Sequence, residues 1–311
     1  MAKLFYKPAF LLFFAFIQAV SFAQPFAVEV IIKNQPDKKI VFGAVQGDDF
    51  IEKGSAFAEN GVVRFKLDDD AEAGVYRIVL GKTKYAEVMD EGPQQLDFIF
   101  NGEDIVLETN FKAPETETNV IQSAENEAWF LFKTKERVIK TELDELTQEV
   151  DYYWEADEKE KAIKKADELN RLQIEHDLFI TQWVQKTDSM FAAKLIATYR
   201  QPMLDGYLTK EQRNELFKRE YLNAIDFSDE LLLNSQAYTD RVFNYLVSYN
   251  KKGMTKTERE KAYEKAVDEI VANTNKNEKV YKFIMKYILH GFEVLQLDGV
   301  ITYINKKYPT N

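Results

Sequence analysis

The chain has 311 residues, no cysteine, two histidines and a formal net charge of −11, with 30% of its residues charged and 45% apolar. The lack of any thiol excludes disulfides, iron–sulfur clusters, thiolate zinc ligands and cysteine catalysis, so stability rests on apolar burial. The acidic balance argues against electrostatic binding of nucleic acid or of anionic membranes.

At the N-terminus, Lys3 and Lys7 precede an apolar stretch from Ala9 to Val20, followed by Ser21-Phe22-Ala23 and Gln24. A short positive region, an apolar run and small residues at −3 and −1 describe a secretory signal peptide, with cleavage predicted after Ala23. The run is too short for a membrane span, and no stop-transfer segment follows. Cysteine is absent from the cleavage site, which excludes a lipid anchor there. The expectation is a soluble periplasmic or otherwise exported chain, with no membrane span after processing.

Eight of the 12 glycines lie before residue 114, and this part reads as strands. Val28, Val30 and Ile32 alternate with Glu29 and Ile31. Val63, Phe65 and Leu67 do so with Arg64 and Lys66, and Tyr76, Ile78 and Leu80 with Arg77 and Val79. Phe98, Phe100 and the stretch Ile105–Leu107 keep the same period of two, the mark of a strand with one wet face. Asn60-Gly61 and Asn101-Gly102 are turn signals that favour positive φ. The spacing predicts an antiparallel β-sandwich over residues 24–113.

After Pro114 the period becomes helical. Trp129, Phe132, Glu136, Ile139, Leu143, Leu146, Val150 and Tyr153 recur in steps of three and four, and so do Leu169, Leu172, His176, Phe179 and Trp183. Two such seams around the polar stretch Glu155–Lys161 predict a long αα-hairpin. Further helices are predicted over Phe191–Arg200, Lys210–Ala224, Tyr238–Tyr249, Lys256–Asn273, Glu278–Leu295 and Gly299–Tyr308. Thr255, Thr257 and Asn277 serve as candidate caps. The fold class is thus α+β and multidomain: signal peptide 1–23, β-sandwich 24–113, and an all-α domain 114–311.

Glu136 and His176 are polar residues at seam positions. Each stands about 20 residues from a turn near Ala156, roughly 30 Å along its helix, so an antiparallel hairpin brings them level. They are expected to share a hydrogen bond or ion pair that sets the register, a structural role. At the hairpin tip, Tyr152, Tyr153 and Trp154 cannot all face one seam. At least one is expected to be exposed to a partner or covered by another element.

Other candidate chemistry is sparse. His290 with Glu293 one turn later supplies two ligands where zinc needs three or four. The acidic loop Asp68-Asp69-Asp70 with Glu72 lacks the spacing of an EF-hand and reads as a solvated turn. Acidic pairs such as Glu142 and Glu145 read as wet helix faces. The sequence holds no Gly-rich phosphate loop and no nucleophile elbow, and no catalytic, cofactor or metal residue is assigned.

The stretch Asn60-Gly61-Val62-Val63-Arg64-Phe65 with Ala73-Gly74-Val75-Tyr76-Arg77-Ile78 resembles the G-x-x-x-F … G-x-Y-R-(V/I) core of a domain of unknown function. That domain precedes the thioredoxin-like module of Gram-negative envelope thiol–disulfide oxidoreductases of the TlpA/AhpC-TSA type. Ser123-Ala124-Glu125-Asn126 is similar to the S-x-E-N that opens the helical segment of that group. Asp226-Phe227-Ser228-Asp229-Glu230-Leu231-Leu232 is similar to its D-F-S-D-x-R-L-L element. Tyr287-Ile288-Leu289-His290-Gly291-Phe292 resembles its Y-L-x-x-G-F, and Val300–Ile304 its last helix. The resemblance implies a C-x-x-C redox module after this segment, whereas the sequence ends at Asn311 without a cysteine.

The leading expectation is a non-catalytic interaction or binding module of the cell envelope, without cofactor and with an envelope protein as partner. The alternative is the non-catalytic part of a thiol–disulfide exchange system whose thioredoxin-like module comes from a separate chain. A hydrolase using scattered carboxylates is a third reading.

Overall fold

Strong period-two segments pair into two sheets in the N-terminal half, and the chain then turns wholly helical. The computed structural model describes residues 25–35 and 39–309. The signal-peptide expectation, on residues 1–23, lies outside them.

The described residues form eight strands: β1 (Phe26–Lys33), β2 (Ile40–Gln46), β3 (Asp49–Ala56), β4 (Val62–Leu67), β5 (Gly74–Gly81), β6 (Gln94–Phe100), β7 (Ile105–Asn110) and β8 (Asn119–Gln122). They form two four-stranded sheets, ordered β4-β1-β7-β8 and β3-β2-β5-β6. Inward residues of both sheets build one aromatic-rich core. Phe42 of β2 stacks on Phe65 of β4 with ring centroids 4.8 Å apart, and Tyr76, Phe98 and Phe100 complete the cluster. Asn60 and Gly61 adopt φ of 52° and 78°, the two positive values that an Asn-Gly turn supplies.

Two expectations need correction here, and three elements went unpredicted. The strands are not all antiparallel, because β1 and β7 run parallel, with Val28 level with Ile105. Side-chain alternation is the same in either direction, and β7 arrives from the other sheet, so no tight hairpin constrains it. The sheet also continues past residue 113, because β8 pairs with β7 and the helical half begins only at Ala124. β2, β3 and the short helix α1 (Lys84–Met89) gave no clear period. β3 is an edge strand that is mostly wet, and its charged DFIEKGSA stretch carries no alternation.

The helical half contains α2 (Ala124–Glu155), α3 (Lys159–Lys186), α4 (Phe191–Ala197), α5 (Lys210–Glu220), α6 (Ala237–Val247), α7 (Lys256–Thr274), α8 (Glu278–Val294) and α9 (Asp298–Lys307). Two 3-10 turns, Leu222–Ala224 and Glu230–Asn234, join them. α2 and α3 lie side by side in opposite directions, since Glu136 meets His176 and Glu149 meets Lys165. Thr255 caps α7 in a capping box with Glu258, and Asn277 caps α8; Thr257 is not a cap and lies within the first turn of α7. Among the described residues, no helix is long and apolar enough to cross a membrane.

The C-terminal end of the last helix is tied to one carboxylate of α7. Asp268 on α7 accepts hydrogen bonds from Tyr303 (2.7 Å), Tyr308 (2.8 Å) and Lys307 (2.9 Å). Burial works against the charge on Asp268, but these donors outweigh it and hold the carboxyl below its ordinary range. A lowered folded-state pKa contributes stability that is present above the unfolded value and is lost as pH falls through the folded one. Asp268→Asn is therefore expected to lower the melting temperature at pH 7 and to flatten its fall on acidification. Melting curves from pH 7 to pH 3 test this, and equal slopes for both proteins would refute it.

Candidate functional site

The two halves meet at a joint built from buried polar side chains. Ser123 caps α2 by accepting the Asn126 N–H at 3.0 Å, and its hydroxyl donates to Glu103 at 2.5 Å. The Glu103 carboxylate also accepts the N–H groups of Ala124 and Glu125, so the β6–β7 connection caps the helix as well. Asn126, fully buried, acts as a piece of strand. Its amide accepts the Ile99 N–H and donates to the Ile99 carbonyl, both at 2.7 Å. Edge strand β6 is thereby closed by a side chain.

Glu125 faces the other way. It is 4% exposed and accepts the backbone N–H groups of Phe191 and Ala192 at 2.8 Å each, as well as the Asn101 amide at 2.6 Å. One tetrapeptide thus ties β6, α2 and α4 together.

A second contact lies around the 3-10 turn Glu230–Asn234. Asn234 donates to the Ala73 carbonyl and to Glu72, both at 3.1 Å, and Ser235 accepts the Gly47 N–H at 2.9 Å. Gly74 has to be glycine here, because a Cβ would stand 2.6 Å from the Cβ of Asn234. Arg77 grips Asp97 through two bonds of 2.6 and 2.7 Å and reaches Gln236 at 2.9 Å. Nearby, burial and then the Asp48 carboxylate raise the hydroxyl pKa of Tyr287. Asp240 reaches solvent, yet crowding and then Asp48 push its carboxyl up, against the pull of Lys133 and Arg77. This is a mixed-charge seam between the halves.

The remaining predicted residues fall as follows. His176 Nε2 lies 2.7 Å from Glu136 Oε2, and both residues are 5% exposed. The level meeting expected across the seam is present. The pair is sealed between α2 and α3, out of reach of any substrate. Of the tip aromatics, Tyr152 is 62% exposed and meets Tyr153 edge-on at 5.3 Å. Tyr153 is half-buried under Lys161, and Trp154 donates to the Gly206 carbonyl at 3.0 Å. At the tip, Trp154 is covered by the 203–208 segment and Tyr152 is exposed.

His290 is exposed, 3.9 Å from Glu293. The Asp68–Asp70 loop closes as a turn, with the Ala71 N–H donating to the Asp68 carbonyl. Among the described residues, no group of three or more His, Asp or Glu side chains is arranged to hold a metal. A recess of about 490 Å³ opens between α2 and α3, lined by Glu142, Glu145 and Glu149 against Lys165, Glu168 and Arg171.

Sequence reasoning missed Arg241, which is 3% exposed. It donates to the carbonyls of Arg200 (2.9 Å) and Tyr221 and stacks 3.6 Å from the Tyr221 ring. Its position within the apolar face of α6 was the available signal, since an arginine there has to find acceptors inside. Comparison with family models, with curated proteins and with solved structures finds no match for this chain.

Proposed function

We propose that this chain is an exported, non-catalytic interaction module of the cell envelope that presents the tip of its α2–α3 arm to a protein partner. In this reading the two sheets form a β-sandwich, the joint locks it to the helical part, and α2 and α3 are a helical hairpin serving as the arm. The observation that carries it is Tyr152, a large aromatic left exposed at the end of an anchored pair of helices. Aromatic side chains supply contact area at small entropic cost, and one held on a fixed mount is a typical interface anchor. The buried polar groups Glu125, Asn126, Glu136 and His176 are spent on internal hydrogen bonds, and Arg241 turns both terminal nitrogens to carbonyls, which supports a scaffold over an enzyme.

A second reading has a specific support. The residues carrying the likeness to thioredoxin-associated envelope proteins include Gly74, Arg77, Ser123, Glu125 and Asn126, and these are the residues of the joint. In that reading the partner is a separate chain with a C-x-x-C thioredoxin-like module.

The test is a photo-crosslinking residue at Tyr152, and at exposed Val294 as a control, in the natively produced protein. The reading expects an intact mass beginning at Gln24 and one envelope protein crosslinked from position 152 only. A partner bearing a C-x-x-C module selects the second reading. Equal crosslinking from both positions overturns the tip as a docking site.

A further inference from the structure

The apolar seam of the arm is not continuous. The base of the arm, with Phe132, Phe179, Ile180 and Trp183, belongs to the large core of the helical half. The outer arm has a small core of its own, in which Leu146, Val150 and Leu169 are buried and Leu143, Trp154 and Leu172 flank them. Between the two clusters sit Glu136 and His176, and neighbouring Ile139 joins neither cluster. A buried polar pair contributes little cohesion compared with the leucines or phenylalanines such a seam otherwise carries.

The outer arm is fastened on one flank by the segment 203–208 and, just beyond it, by Arg213 of α5, which pairs with Asp151. The fastening is mostly polar. Gln173 pairs with both the N–H (2.7 Å) and the carbonyl (3.0 Å) of Leu204. Asn170 accepts the Gly206 N–H at 2.8 Å and donates to Asp205 at 2.8 Å, and Tyr207 donates to Asp167. Gly206 lies against the α3 backbone, where a Cβ would stand 2.8 Å from the Cα of Ala166. Ala162 and Ala166 are fully buried on this face, so the strap seats on a strip of small residues.

We propose that the outer arm, residues 140–172, and the 203–208 strap open together as one cooperative unit, hinged at the Glu136–His176 pair, while the joint between the halves stays closed. A segment with a small separate core and a polar fastening opens at a lower free energy than the core it is attached to. The device is a strapped arm: seating Gly206 on Ala166 holds Trp154 and, through it, the tip. This inference concerns the arm itself and stands whether or not the tip binds a partner.

Native-state hydrogen exchange followed by mass spectrometry on the full chain tests it. Peptides from 140–172 and 203–208 are expected to share one protection level, at least ~10-fold below that of 124–135 and 177–197. Gly206→Ala is expected to speed exchange in both outer segments together by ~10-fold and to leave the β half unchanged. Equal protection along the whole of α2 and α3, or a Gly206→Ala effect confined to the strap, overturns the proposal. Should that variant not fold, the wild-type comparison decides, together with the double variant E136L/H176L. Joining the two clusters is expected to slow exchange of the outer arm, and unchanged exchange counts against the hinge.

Discussion

Glu125→Leu is expected to destabilise the protein by about 3–5 kcal/mol, the largest effect of any single polar substitution. The carboxylate caps the start of α4, with one oxygen on the Phe191 N–H and the other on the Ala192 N–H. Leucine fills a similar volume but leaves both backbone donors buried and unpaired, along with the Asn101 amide. Each orphaned buried donor costs about 1–3 kcal/mol, and removing a fully buried charge from its donors lies at the upper end. Glu125→Gln keeps one acceptor and turns an amide N–H₂ toward a backbone N–H, so an intermediate loss of about 2 kcal/mol is expected. Because α4 is docked to the β half through this group, the leucine variant is also expected to split one unfolding transition into two. Urea unfolding followed by far-ultraviolet dichroism and tryptophan fluorescence measures both effects. A loss below about 1 kcal/mol with coincident transitions would sink the account.

Arg241→Met is expected to cost about 2–4 kcal/mol, with Arg241→Lys no better. The guanidinium holds the carbonyls that close two helical segments, Arg200 just beyond α4 and Tyr221 at the end of α5. Positive charge is favoured at both places by the helix dipole. Burial pulls the group down to about 10, partly offset by Tyr221, so it remains charged at neutral pH. Methionine would supply the packing and leave two carbonyls unpaired. Lysine would supply the charge, but a single ammonium lacks the planar fork that spans both carbonyls and stacks on the Tyr221 ring. Unfolding free energies of the three proteins decide this. A lysine variant as stable as wild type would show that charge alone matters, and a neutral methionine variant would show that the carbonyls find other donors.

Much of this architecture is written in periodicity. Strands β1, β4, β5, β6 and β7 and helices α2 to α9 follow from spacings of two and of three to four, because burying one face of an element imposes that spacing whatever it packs against. The level meeting of Glu136 and His176 follows from the same arithmetic: two straight helices joined by a short turn fix which residues lie abreast. The lack of thiol chemistry is compositional and needs no structure.

Tertiary structure decided the rest, because it depends on partners remote in the chain. The direction of β7 beside β1 is invisible to alternation, which has no polarity. Asn126 and Ile99 are distant in sequence, and nothing local to Asn126 announces that its amide will finish a strand. Gly74 and Gly206 look like ordinary turn glycines, yet each is required by a backbone or side chain arriving from elsewhere, Asn234 and Ala166 respectively. The place of Arg241 on the apolar face of α6 shows that it must find acceptors, but only the two helix ends that close over it decide which. Local spacing determines which face of an element is buried; only the assembled chain determines which polar groups become trapped inside and must find one another.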